Sequence, residues 1–199
     1  MKVVILAAGR TDQGSRYGFP VGSKPKCLFH YRGEVLLERQ AKILRTVGLN
    51  DITVVVGHQK ELIEKFNSQR KLGLKLVYNP TGATDVKKDL WVKGFDSIKL
   101  GVQGVDDDVL FIPGDVYLKE DGLREVLSHK CSVLGRGGHG LQIFKVRRNV
   151  LLGIREFKGT GFLHPLADLI KADGGITIET SLFDVDYYKQ TDEKVLKKR

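Results

Sequence analysis

No stretch of the chain approaches the roughly 18 consecutive apolar residues that a membrane-spanning helix needs, so a bilayer span is not expected. The opening residues, Met1-Lys2-Val3-Val4-Ile5-Leu6, are too few and too strand-like for a secretory signal, and the expectation is a cytoplasmic protein. Cysteine is scarce. The two present, Cys27 and Cys131, lie far apart in apolar surroundings, which excludes a disulfide framework and reads as two buried thiols. The five histidines (His30, His58, His129, His139 and His164) include no H-x-x-x-H pair, so a zinc site is not expected either. Internal repeats and low-complexity linkers are also missing. The 199 residues are therefore read as one domain, 1–199, long enough to bury a core without cross-links.

What the chain does have is positive charge. A formal net charge of +9 suits nucleic acid, an anionic surface or a small polyanionic substrate. Its distribution narrows the choice. Residues 1–32 carry Lys2, Arg10, Arg16, Lys24, Lys26 and Arg32 against one acid, Asp12, mostly in one glycine-rich loop. A second basic group, Lys194, Lys197, Lys198 and Arg199, ends an expected helix and there complements the helix dipole. Trp91 and Phe95 sit at helical core spacing and do not interleave with the basic residues, so nucleic acid is not the expected partner.

Apolar periodicity alternates between strands and helices over the first 130 residues. Lys2–Ala7, Asp51–Val56, Leu74–Tyr78 and Asp108–Ile112 read as strands, and the first is continuous enough to be buried on both faces. Glu34–Val47, His58–Phe66, Asp89–Leu100 and Lys119–Ser128 read as helices. The remainder reads as shorter strands, Cys131–Leu134, Leu141–Val146 and Val150–Phe157, the last two forming a hairpin around Arg148-Asn149. A helix over Phe162–Ala172, a strand over Ile176–Phe183 and a closing helix complete the chain. The pattern predicts an α/β fold: three layers, α/β/α, around a mostly parallel Rossmann-like sheet, with a small β-hairpin insertion.

In open α/β sheets ligands sit beyond the carboxyl ends of the strands. Three segments follow such ends: the loop after the first strand, Pro113-Gly114-Asp115, and Asp184-Val185-Asp186. Each is ordinary alone, as a solvated connection, a turn or a helix cap. Together they bring a basic glycine-rich loop and two acidic stations to one edge. Backbone N–H groups with Lys and Arg can neutralise a triphosphate, and Mg²⁺ binds through one or two carboxylates plus substrate phosphates. The loop is neither a P-loop nor a G-x-G-x-x-G dinucleotide fingerprint.

Leu6-Ala7-Ala8-Gly9, Gly14-Ser15-Arg16 and Lys24-Pro25-Lys26-Cys27-Leu28 resemble the opening of the sugar-phosphate nucleotidyltransferases, L-A-A-G-x-G-[ST]-R followed by P-K-x-L. The resemblance runs along nearly the whole chain. Gly33–Arg39 is similar to the family's G-x-P-L-I-E-R, Ile52–His58 to its I-x-V-V-x-G-Y, and Phe111–Val116 to its metal-bearing strand end. Tyr78-Asn79-Pro80 with Thr84–Trp91 resembles the branch that includes phosphocholine cytidylyltransferases, and Asp184-Val185-Asp186 the closing D-[IV]-D.

The resemblance implies a nucleotide-diphospho-sugar transferase type of fold and a Mg²⁺-dependent enzyme that moves a nucleotidyl group from an NTP to a phosphorylated acceptor. The acceptor is a sugar 1-phosphate or an alcohol phosphate such as phosphocholine, the favoured donor CTP or UTP/dTTP, and pyrophosphate leaves. Carried over by residue, Ala8 and Gly9 meet the nucleotide through backbone, with Arg10, Gly14 and Ser15 in the same loop. Arg16 lies on the β/γ-phosphates, and Lys26 neutralises the α-phosphate. Asp115 and Asp186 hold Mg²⁺, with Asp184 the alternative to Asp186. Lys158 pairs with the acceptor phosphate, and Asp85 stands where the family's amide meets the base or the acceptor.

Three departures stand out. Arg10-Thr11-Asp12-Gln13 places four residues where the family has one, Asp85-Val86 replaces an asparagine pair, and Tyr187–Gln190 replaces T-P-E-D. The alternatives are an A-type glycosyltransferase using a nucleotide sugar and a catalytically degenerate nucleotide binder. The sequence leaves the oligomeric state open and allows a homodimer.

Overall fold

Val3, Ile5 and Ala7 belong to one hydrophobic cluster, Val4, Leu6 and Ala8 to another. That division makes β1 (Lys2–Ala7) a central strand: successive side chains point to opposite faces, and both faces are covered. The computed structural model describes residues 1–9, 24–83, 94–137, 140–159 and 163–180. After β1 come a short hairpin of β2 (His30–Tyr31) and β3 (Glu34–Val35), then α1 (Leu36–Thr46), β4 (Ile52–Val56), α2 (Lys60–Gln69) and β5 (Lys75–Tyr78). The order continues with α3 (Gly94–Gly101), β6 (Val109–Pro113), α4 (Glu120–Ser128), β7 (Val133–Gly137), β8 (Gly140–Val146), α5 (Leu151–Glu156), α6 (His164–Ala172) and β9 (Ile176–Glu179).

Seven strands form one sheet in the order β5-β4-β1-β6-β8-β7-β9. The pairs β5–β4, β4–β1, β1–β6 and β7–β9 are parallel, and β8 runs against both its neighbours. One face packs on Leu37, Ala41 and Leu44 of α1, Ile63 of α2, and Leu123 and Val126 of α4. The other carries Phe95 and Ile98 of α3, Leu151 and Ile154 of α5, and Leu166, Ala167 and Ile170 of α6. This is the expected three-layer, mostly parallel α/β architecture. Among the described residues no helix is long and apolar enough to cross a membrane.

Local readings need correction in four places. Val150–Phe157 is not a strand: a 3-10 turn, Arg148–Val150, leads into α5, with Val150, Leu151 and Ile154 buried and Leu152 58% exposed. That is helical spacing, and short apolar runs do not separate the two periods. The hairpin is instead β7–β8. Glu34-Val35 joins the small hairpin rather than the helix, because Arg32 and Gly33 take positive φ values of 51° and 83° and turn the chain back. Gln59, also left-handed at φ 54°, delays α2 to Lys60. Cys27 is buried, but Cys131 is only half-buried. Trp91, the strand residues beyond Thr180 and the closing helix lie outside the described residues.

Candidate active site

The carboxyl ends of β1, β4 and β6 lie side by side, since β1 is hydrogen-bonded to both of the others. Beyond β1, Ala8 is buried and Gly9 exposed. Beyond β4, a Cβ added to Gly57 would stand 2.5 Å from Ala8 O. Only glycine allows that approach, and it brings His58 N to 3.4 Å from Ala8 O. Beyond β6, Gly114 N donates to Leu6 O at 2.9 Å and Val116 N to Pro113 O at 3.2 Å, so Pro113–Val116 forms a turn with Asp115 on it.

The second wall is the 3-10 turn Lys26–Leu28, closed by Leu28 N donating to Pro25 O at 2.9 Å. Cys27 faces inward, and a Cβ on Gly114 would stand 3.1 Å from Cys27 Cβ. This close packing seats the turn directly on Gly114-Asp115. Lys26 Nζ then lies 3.3 Å from Asp115 Oδ2, with both side chains about a quarter exposed (27% and 26%). Burial pushes the Cys27 thiol up to about 12, with the nearby Asp115 charge adding to the effect. Cys27 is therefore a packing residue here, not a nucleophile.

Lys26 and Asp115, expected together from sequence, are brought together, and Ala8-Gly9 follows the end of the neighbouring strand β1. Lys158 follows helix α5, where a strand end was expected, and the adjoining Phe157 packs on Phe95 of α3 at a ring separation of 4.5 Å. Arg10, Gly14, Ser15, Arg16, Asp85, Asp184 and Asp186 lie outside the described residues. Among the described residues there is no group of three or more His, Cys, Asp or Glu able to hold a metal.

One buried network escaped the sequence reading. Asn79 N donates to Val56 O at 2.7 Å, and its Nδ2 donates to Ser97 Oγ at 2.8 Å. Its Oδ1 accepts from Thr81 N at 3.0 Å, while Thr81 Oγ1 lies 2.7 Å from the same oxygen and 3.3 Å from Asp96 Oδ2. Asn79 thereby ties the ends of β4 and β5 to α3. In sequence Asn79 is legible as part of the Tyr78-Asn79-Pro80 motif and as the break after a strand, and neither signal reveals that its side chain is buried.

The sequence model of the MobA-like NTP transferase domain matches residues 3–168. CMP-5'-(3-aminopropyl)phosphonate synthase from Streptomyces rubellomurinus is 31% identical over 121 residues, covering 60% of this chain and 18% of that protein. Choline-phosphate cytidylyltransferase from Streptococcus pneumoniae is 37% identical over 79 residues, covering 40% of this chain and 32% of that protein. The chain thus spans less than a third of the length of these curated relatives. The solved structure of CTP:phosphocholine cytidylyltransferase from S. pneumoniae superposes with a TM-score of 0.65 at 20% identity, covering 98% of both chains, which establishes likeness of fold.

Proposed function

The chain belongs to the MobA-like NTP transferase domain family, and from that premise we propose that it is a nucleotidyltransferase using CTP and a phosphorylated small-molecule acceptor. An acceptor phosphate oxygen attacks the α-phosphorus of the nucleotide. The new P–O bond forms as the bond to the bridging oxygen breaks, and that electron pair leaves with pyrophosphate. The acceptor is already anionic, so no general base is required, and catalysis rests on positioning and charge neutralisation. CTP is preferred over UTP or dTTP because two similar proteins are named as a CMP-phosphonate synthase and a cytidylyltransferase.

The observation that carries this reading is the Lys26–Asp115 pair, 3.3 Å apart at the sheet edge next to Ala8-Gly9. Asp115 Oδ2 already faces a cationic group, and a carboxylate oxygen is a hard donor of the kind Mg²⁺ selects. Asp115, with Asp186 as second carboxylate, would hold Mg²⁺, which when bound neutralises phosphate charge and orients the triphosphate. Lys26 offsets charge developing on the α-phosphate. Ala8 and Gly9 hold the nucleotide through backbone groups, and Arg10, Gly14, Ser15 and Arg16 complete the cradle. Asp85 and Lys158 take the acceptor side.

The test is pyrophosphate release with Mg²⁺ from a panel of CTP, UTP, dTTP, ATP and GTP, each with phosphocholine or a sugar 1-phosphate. Acceptor-dependent pyrophosphate, highest with CTP, is expected. Release of free NDP from a nucleotide sugar would assign the glycosyltransferase reaction instead. Absence of both, with no thermal shift on any NTP, would remove the reading.

A further inference from the structure

Gln40 lies on the face of α1 that packs against the sheet, fully buried in a stripe otherwise made of Leu36, Leu37, Ala41, Ile43 and Leu44. A buried amide there is unfavourable unless its polar atoms are matched. Its Nε2 donates to Pro113 O at 3.0 Å and to Val116 O at 2.7 Å. Both partners are carbonyls that only accept, so chemistry fixes the orientation of the amide, with the nitrogen toward them. Oε1 is left buried without a hydrogen-bond partner among the described residues. An apolar residue in this slot would spare Oε1 but take the side-chain donor from the Pro113 and Val116 carbonyls, so the glutamine is explained by the turn it binds and not by core filling.

The two carbonyls it binds bracket Gly114-Asp115. The preceding residue grips the next stretch of the same segment: Arg39 Nε donates to Leu118 O at 2.9 Å, and its guanidinium lies 4.0 Å from the Tyr117 ring centre. Arg39 is itself held by Glu34 Oε2 at 2.5 Å. Two consecutive residues of α1 thus fix the backbone from Pro113 to Leu118. Parallel pairing with β1 ends at Leu6–Pro113; beyond it the α1 contacts add to the hydrogen bonds of Gly114 N to Leu6 O and Val116 N to Pro113 O in holding the turn.

We propose that Gln40 is a positioning residue for Asp115, chelating the turn from beneath so that the carboxylate is held where a divalent cation and the substrate phosphates meet. The proposal rests on the nucleotidyltransferase reading and deepens it, since Gln40 touches neither substrate nor cation. Supporting groups behind a metal ligand typically change metal affinity or activity by about 10–100-fold when removed.

The test compares wild type, Gln40→Met, Asp115→Asn and the double variant. Methionine keeps the length and volume of the side chain and removes both donors. Mn²⁺ binding in the presence of CTP is measured from the EPR signal of free Mn²⁺, alongside kcat, the acceptor KM and thermal melting. For Gln40→Met, Mn²⁺ affinity and kcat are expected to fall about 10–100-fold with acceptor KM unchanged. In the Asp115→Asn background the same change should lower Mn²⁺ affinity no further, because the two residues act as one unit. Wild-type Mn²⁺ affinity in Gln40→Met, an equal loss in both backgrounds, or a wild type that binds no Mn²⁺ would each overturn the proposal.

Should Gln40→Met fail to fold, Gln40→Glu serves. A buried neutral carboxyl retains one donor, so Mn²⁺ affinity should be intermediate and fall with rising pH as the acid ionises. A pH-independent wild-type affinity would overturn the proposal. A wild type that binds Mn²⁺ and CTP but releases no pyrophosphate removes the proposed reaction alone, and the affinity comparison still decides the role of Gln40.

Discussion

Lys26 Nζ stands 3.3 Å from Asp115 Oδ2, although 89 positions separate the two residues in the chain. The contact is made by two short turns packed on one another through Cys27 and Gly114, so its geometry is set by the core rather than by the charges. A partly exposed pair of this kind contributes only about 0–1 kcal/mol to stability. Its chief consequence should therefore be chemical.

Lys26→Ala and Asp115→Ala are each expected to lower kcat for pyrophosphate release by about 10²–10³, or roughly 3–4 kcal/mol of transition-state stabilisation. Melting temperatures should barely move. Near-normal turnover in either variant would remove that residue from the proposed site.

Gly57→Ala introduces a Cβ 2.5 Å from Ala8 O. Either the β4 loop or Ala8-Gly9 must shift, at a cost of about 1–3 kcal/mol. A lower melting temperature together with a raised KM for CTP is the expected pair of effects. An unchanged KM would mean that Ala8-Gly9 does not contact the nucleotide.

Thiol labelling should separate the two cysteines. At pH 8 iodoacetamide should modify half-buried Cys131 and leave Cys27 unmodified until the protein unfolds. The Cys27 pKa, raised from 9.0 to about 12 in the folded state, also sets a sign. Above pH 9 the unfolded chain ionises and the folded one does not, so this residue's contribution to stability falls as pH rises from 9 toward about 12. Cys27→Ser should flatten that part of the alkaline stability profile; an unaltered slope would contradict the assignment.

The Asp51 carboxyl is held below its ordinary value chiefly by the hydrogen bond from Lys75 Nζ, 2.8 Å away. A lowered carboxylate pKa contributes stability above the unfolded value of 3.8, and that contribution is lost as pH falls through the lower folded value. Both side chains are about half or more exposed, so Asp51→Asn should cost under about 1 kcal/mol at neutral pH and less in high salt. The difference between variant and wild type should vanish in acid. A difference that persists there would place its origin outside this pair.

Much of the layered fold is legible in sequence because β1, β4 and β6 are buried on both faces and so appear as near-continuous apolar runs, with Thr53 the polar break in β4. Asp115 is legible for the same reason, as the acid that follows one of those runs. Val150–Phe157 is not, since eight largely apolar residues satisfy both periods until Leu152 is seen to face solvent. Gln40 is legible only as a polar break in the apolar stripe of α1. Its meaning lies in two carbonyls 73 and 76 positions away, which no local pattern encodes. Asn79 is hidden likewise, because the proline after it marks a boundary while its side chain does its bonding inside.

The register Lys2↔Val109 places about a hundred residues of chain between the central strand and its second parallel neighbour. On a ribosome adding about 5–20 residues per second, β1 exists for some 5–20 s before β6 is made. During that interval one side of β1 has no partner from the main sheet, and the turn bearing Asp115 has not been synthesised. β1 therefore gains its second parallel neighbour only after about a hundred further residues have been made, and over that interval an apolar strand depends on shielding from elsewhere.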